Sequence, residues 1–178
     1  GAFACHRMDS TPEITEAIIA HTMPYLILSQ TERREWASLA TPEIRRTEWV
    51  FGKAVAKDAV RRLLKARYQI DVYPADVEIG HDPDGCPFAS FLGLDESVTP
   101  PSISIAHSDG LVVAVAGYCA SGHRLGIDVE RIRSRQEAFQ KIAFSGAELT
   151  LLDSLPDPAR DEWVTRLWCA KEAVAKAL

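Results

Sequence analysis

Two short stretches of this chain hold residues whose types and spacing could do chemistry. In "LGIDVERI" (residues 125–132), Leu125, Ile127 and Val129 alternate with Gly126, Asp128 and Glu130. On a strand, that alternation sends the apolar residues to one face and both carboxylates to the other, with Cα atoms roughly 6–7 Å apart. Carboxylates at that spacing can converge on one hard cation. Mg2+ suits such a pair, because it takes few protein carboxylates and fills its shell with water and phosphate oxygens. The same pattern also describes an exposed strand face with two solvated acids. The second stretch is "RLWCAKEAVAKAL" (166–178), where Trp168, Glu172 and Lys176 recur every four residues and so stack on one helix face. Taken alone, that stripe supports a helix with a Glu172–Lys176 surface ion pair.

Weaker signals lie upstream. "SISIAHS" (102–108) puts His107 and Ser108 at the end of a strand, a common position for ligand-binding residues. A histidine there is functional if an anion lies nearby for its ring N–H to meet, and structural otherwise. "SGAE" (145–148) fits the S-x-x-E capping box, which accounts for Glu148 without further function.

These residues must be positioned by ordinary secondary structure. "STPEITEAIIAHTM" (10–23) carries a helix start, with Ser10 or Thr11 as cap and Pro12 in the first turn. Helices are also expected over 31–40 and over 41–68, the latter with a Val50, Ala54, Val60, Leu63, Leu64 stripe. "GHDPDGCPFASFLG" (80–93) is turn-rich and reads as a loop or irregular hairpin. The period then changes. Residues 102–132 read as three short strands, with turns at 108–110 and 120–123. Such short connections favour antiparallel pairing, since a parallel crossover needs about a dozen residues. Helices return over 134–144, 145–155 and 157–178. Helices flanking an antiparallel sheet make an α+β architecture.

The composition bounds the function. The chain has 178 residues, 47% of them apolar, enough for one domain or two small lobes. No apolar run approaches the ~20 residues needed to span a bilayer, and no segment reads as a signal peptide. The four cysteines (Cys5, Cys86, Cys119, Cys169) show no CxxC and no paired His spacing. Zinc and a disulfide framework are poor readings, and a reduced cytoplasmic setting is the default. The net charge of −5 argues against nucleic-acid binding. Residues 33–67 are nonetheless basic, with Arg45, Arg46, Lys53 and Lys57 among the cations. They form either a solvated helix face or a surface for an anionic ligand or partner. The start at "GAFACHRM", without an initiator Met, and the end inside a helix suggest an excised domain or the ordered part of a longer chain. Gly1 could be a processing scar.

Taken together, "GIDVE" and, about forty residues on, "WCAKEAVAK" resemble the paired signature of the 4′-phosphopantetheinyl transferases. "ISIAHS" resembles that family's strand ending in His-Ser, and "GCP" (85–87) its Gly-x-Pro loop. "RRTEWVFGKAVAKDAV" resembles its basic helix. The resemblance runs from about Arg45 to Leu178. Glu130, two residues after the motif Asp, is similar to the larger surfactin-synthetase-activator (Sfp) type.

The resemblance implies a monomer of two pseudo-symmetric α+β halves, each a small antiparallel sheet packed with helices, here 1–122 and 123–178. The second half would be incomplete at its C-terminus. It implies Mg2+-dependent transfer of 4′-phosphopantetheine from coenzyme A to a serine of an acyl or peptidyl carrier protein or domain, releasing adenosine 3′,5′-bisphosphate. Mn2+ is an alternative ion. Asp128, Glu130 and Glu172 would hold the metal, with Glu172, Lys171 and His107 catalytic. Coenzyme A would meet Arg45, Lys53, Gly85, Pro87, His107, Ser108, Lys171 and Lys176. Neither nucleic acid nor membrane is an expected partner. Cys86 stands where many relatives carry Lys, and Ala106 where Ser is common, so a phosphate contact and a hydroxyl donor are missing. A domain excised from a polyketide or fatty-acid synthase is one setting. A non-catalytic carrier-binding module of the same fold and a diphosphate hydrolase are the competing functions.

Overall fold

The computed structural model describes the backbone of residues 2–7 and, with side chains, residues 21–119 and 123–178, Pro158 by backbone alone. Its spine is a 26-residue helix, α3 (Glu43–Tyr68), preceded by a helix whose described residues are 21–27 (α1) and by α2 (Gln30–Ser38). The expected helix over 10–23 lies outside the described residues up to position 20. α3 ends where Gln69 turns left-handed at φ 58°, a conformation that closes helices. Its apolar stripe is buried as the 3.6-residue period predicts, with Val55, Ala56, Ala59, Val60 and Leu64 inaccessible.

That stripe covers one face of a five-stranded antiparallel sheet ordered β1-β5-β4-β3-β2. The strands are β1 (Ala2–Arg7), β2 (Val77–His81), β3 (Pro87–Phe91), β4 (Ser102–Ser108) and β5 (Leu111–Gly117). Asp109 and Gly110, at φ 47° and 77°, join β4 to β5 in a two-residue turn. Positive φ at both positions matches the twist of the flanking strands. The stretch expected as a loop or irregular hairpin is the β2–β3 hairpin, with residues 82–86 as its loop. β1 gave no signal in the sequence and forms an edge strand beside β5.

The third strand expected near residues 125–130 is not part of the sheet. Leu125 and Ile127 donate their N–H groups to the hydroxyls of Ser102 (3.3 Å) and Ser104 (3.1 Å). β4 already has β5 on one side and β3 on the other, so the segment lies across its face. It uses serine hydroxyls in place of a backbone ladder. The alternation of "SISI" explains why: Ile103 and Ile105 face α3, which leaves Ser102 and Ser104 for the opposite side. All strands therefore precede residue 118, and the described part of 123–178 is this extended segment plus three helices.

Those helices are α4 (Glu137–Ala143), α5 (Gly146–Asp153) and α6 (Asp157–Ala177). They enclose a second, smaller core of Phe144, Leu152 and Val164, against which Phe139, Leu167 and Trp168 pack. The Ser145–Glu148 capping box forms at the start of α5 as expected. The whole is α+β, and among the described residues no helix is long and apolar enough to cross a membrane.

A buried polar knot fixes β2 to the helices. Glu32, 3% exposed, accepts the N–H groups of Ser29 and Ile79, each at 3.0 Å. Lys57, fully buried, donates to Glu32 (2.5 Å), Ile27 O (2.7 Å) and Pro74 O (3.0 Å). Lys53 donates to Ile79 O and lies 3.7 Å from Glu32. Burial holds the Lys57 ammonium below its ordinary range, against the pull of Glu32.

Candidate functional site

The segment 124–130 is clasped between β4 and α6. Gly126 makes this possible: a Cβ placed there would sit 1.7 Å from the Ala173 carbonyl oxygen. Helix backbone can therefore rest directly on the segment, and any side chain at 126 would push α6 away. With α6 this close, Lys176 donates to Asp128 Oδ1 at 2.7 Å and to Ile127 O at 3.1 Å. The Asp128 side chain is only 10% exposed, and its Oδ2 is buried without a hydrogen-bond partner.

Glu130, one strand period on, accepts from Arg135 at 2.9 Å and from the Ser108 hydroxyl at 3.4 Å. Both acids bear on Cys169 of α6, whose thiol is pushed up to about 11, first by burial and then by the Asp128 carboxylate beside it, with Glu130 adding. Cys169, half-buried, is thus a neutral thiol near pH 7.

Beside Lys176 opens a cleft of about 550 Å³. The Gly85–Pro87 loop, Ser102–Ile105 of β4, Arg124 and Leu125 line it with His81. The loop is shaped by Gly85 at φ 82° and by Asp82, whose Oδ1 accepts the N–H groups of Asp84 (3.0 Å) and Cys86 (2.8 Å). Burial, then the charge of Lys53, lowers His81 below its ordinary value, so its ring is neutral near pH 7.

The expected site residues divide into those this geometry gathers and those it does not. Gly85, Pro87 and Lys176 line the cleft, Asp128 lies on its Lys176 side, and Glu130 is joined to Ser108. His107 is exposed at the end of β4, and strand alternation turns it to the opposite face from Ser108. Glu172 is half-buried on α6, one turn before Lys176. Among the described residues no three His, Cys, Asp or Glu side chains form a ready ligand set, so Asp128, Glu130 and Glu172 are not preassembled.

Lys171 is engaged elsewhere. It donates to Ala143 O and to Glu148, each at 2.7 Å, and lies over the Phe144 ring. That contact, then the Ser145 N–H, holds the Glu148 carboxyl down to about 2. Trp168 packs edge-on to Phe139 at 5.0 Å in the same small core. The four-residue stripe thus splits, with Trp168 anchoring the helix while Lys176 pairs with Asp128.

Lys53 is buried at 3% exposure under β2, and Arg45 is exposed and paired with Glu48 at 2.8 Å. Neither lines the cleft. Arg46 stacks on Trp36 at 4.6 Å beside a separate cavity of about 340 Å³.

Ser102, Ser104, Arg124 and Arg135 carry parts of this site that sequence reasoning missed. The alternation of "SISI" signalled the serines, and adjacency to the acidic motif signalled Arg124. Nothing in the sequence distinguished Arg135.

A divalent cation fits this donor set in one respect: Asp128, paired through Oδ1 with Lys176, keeps a second carboxylate oxygen, Oδ2, buried and without a hydrogen-bond partner. A buried anionic oxygen without a donor is costly unless a cation or proton meets it.

Residues 124–178 match the family model described as the 4′-phosphopantetheinyl transferase superfamily. The 4′-phosphopantetheinyl transferase HetI from a Nostoc species is 31% identical over 110 residues, which is 61% of this chain and 44% of HetI. The chain thus spans less than half the length of that curated relative. A holo-ACP synthase from Plasmodium yoelii superposes with a TM-score of 0.50 at 18% identity, covering 65% of this chain and 89% of its own. A holo-[acyl-carrier-protein] synthase from Neisseria meningitidis reaches 0.49 at 16% identity over 65% of this chain and 97% of its own. The resemblance to the 4′-phosphopantetheinyl transferase superfamily read from "GIDVE" and "WCAKEAVAK" is therefore borne out, in the family match over 124–178 and in the α+β fold that carries them.

Proposed function

We propose that this chain transfers 4′-phosphopantetheine from coenzyme A to a serine hydroxyl of an acyl or peptidyl carrier, as a transferase of the larger, surfactin-synthetase-activator type. The observation that carries the reading is the buried Oδ2 of Asp128, without a hydrogen-bond partner, beside a cleft whose lining includes Lys176 and Arg124 as well as Asp82 and Asp84. HetI, similar to this chain over 110 residues, is a 4′-phosphopantetheinyl transferase.

Mg2+ would be held by Asp128, Glu130 and Glu172, where it would offset charge on the diphosphate and the transferring phosphoryl group. The chain's own residues do the rest. Gly126 fixes α6 at contact distance, so Lys176 reaches both Asp128 and the cleft. From there its ammonium can pass from a carboxylate to a phosphate oxygen without any helix movement. Arg135 and Ser108 orient Glu130. Glu172 takes the proton of the incoming serine, and Lys171 braces α6 against α4 and α5 so that Glu172 is correctly aimed. Cys86, Cys119 and Cys169 are free thiols, which agrees with a cytoplasmic setting.

The test is to mix the chain with several apo carriers, coenzyme A and Mg2+, and weigh the carriers by intact mass spectrometry. At least one carrier is expected to gain a single phosphopantetheine arm. No gain with any carrier despite bound coenzyme A would leave a carrier-binding module. Coenzyme A breakdown without a carrier would make the protein a hydrolase.

A further inference from the structure

Arg124 lies at the rim of the cleft with its Nη1 donating to Cys86 Sγ at 2.7 Å. Among the described residues it makes no ion pair, whereas Lys176 is matched by Asp128 and Arg135 by Glu130. A guanidinium is charged at every physiological pH, and a thiol is a weak acceptor that does not balance it. The nearby acids do not serve it: Asp82 is turned onto loop N–H groups through its Oδ1, and Asp84 is exposed in the same loop. Arg124 is therefore an unspent cation facing a cleft that the Gly85 turn leaves open.

Its position along the segment indicates which part of a ligand it meets. Leu125 and Ile127 bond to Ser102 and Ser104 in step, so residues 124–128 run extended. At about 3.3 Å per residue, Arg124 stands roughly 13 Å from Asp128. Two side chains that far apart on the backbone can meet two different phosphates of one nucleotide, a 5′-diphosphate toward Asp128 and a second phosphate on the ribose toward Arg124. Resting on the coenzyme A reading above, we propose that Arg124 binds the 3′-phosphate of the nucleotide, supplying from residue 124 the cation that the Gly85–Pro87 loop lacks at Cys86. Charge-assisted, bidentate bonding to phosphate oxygens is the chemistry that a guanidinium offers there.

The test is calorimetric titration of the full chain with coenzyme A and with 3′-dephospho-coenzyme A. Arg124→Ala is expected to weaken coenzyme A binding about tenfold and to leave 3′-dephospho-coenzyme A binding unchanged. Because Cys86 Sγ lies 2.7 Å from the guanidinium, Cys86→Lys in the Arg124→Ala background should restore most of the lost affinity. The exposed position of Arg124 predicts an unaltered melting temperature. Equal losses on both ligands, or no loss on either, would overturn the assignment while leaving the transferase reading intact. Failure of the wild-type chain to bind coenzyme A would overturn both.

Discussion

Asp128→Asn is expected to reduce carrier modification on the order of 10³-fold while leaving the protein folded. Asparagine matches aspartate in shape, and its carbonyl can still accept from Lys176 as Asp128 Oδ1 does at 2.7 Å. What disappears is the negative charge at Oδ2, the buried oxygen without a hydrogen-bond partner. A neutral amide there holds a divalent cation far more weakly than a carboxylate does. Cys169 gives a readout independent of turnover. Asp128 is one reason that thiol is held up to about 11, after burial, so its ionisation should move down in the variant. Following thiolate absorbance against pH checks this, and near-normal transfer by a folded Asp128→Asn would mean the acids do not serve the reaction.

The largest stability effect is expected far from the acids, at Glu32→Ala. Glu32 is 3% exposed and meets two buried lysines, one fully inaccessible, together with two backbone N–H groups. Removing it leaves the Lys57 ammonium without a counter-charge in a site where burial already disfavours it. Breaking a buried pair from one side costs about 3–5 kcal/mol, a large share of the roughly 5–15 kcal/mol that holds a domain folded. Glu32→Gln should cost less, because its carbonyl can keep one of the N–H bonds. Urea midpoints in the order wild type, Gln, Ala would bear this out. Equal midpoints for Ala and wild type would mean that the lysines rearrange to water. The pH response has a definite sign. Lys57 loses its proton more readily folded than unfolded, so its contribution to stability grows as pH rises toward 10.5.

The helices were legible because their apolar spacing and caps are local properties, and the structure keeps α3, α5 and α6 near their expected positions. The pairing of Asp128 with Glu130 was legible from period two, although the segment is not a sheet strand. Alternation reports extended backbone and not the partner that satisfies its N–H groups, and here that partner is a pair of serine hydroxyls.

Lys53 shows the opposite difficulty. As one of a run of basic residues it reads as an anion binder, yet Glu32, on another helix, draws it inside. Such a long-range partner leaves no mark on local charge patterning. Lys171 was separated from its neighbour Lys176 for a similar reason, because the α4–α5 junction supplies Ala143 O and Glu148. The close approach of α6 hangs on one glycine, whose place in "GIDVE" was visible but whose neighbour Ala173 was not.

We propose that Asp128 would hold the ion that meets the coenzyme A diphosphate. Calorimetric titration of coenzyme A into wild type and Asp128→Asn, with and without Mg2+, tests it most directly. The wild type should bind about tenfold or more tightly with Mg2+, and the variant should show no such gain. An equal Mg2+ gain in the variant would contradict the claim.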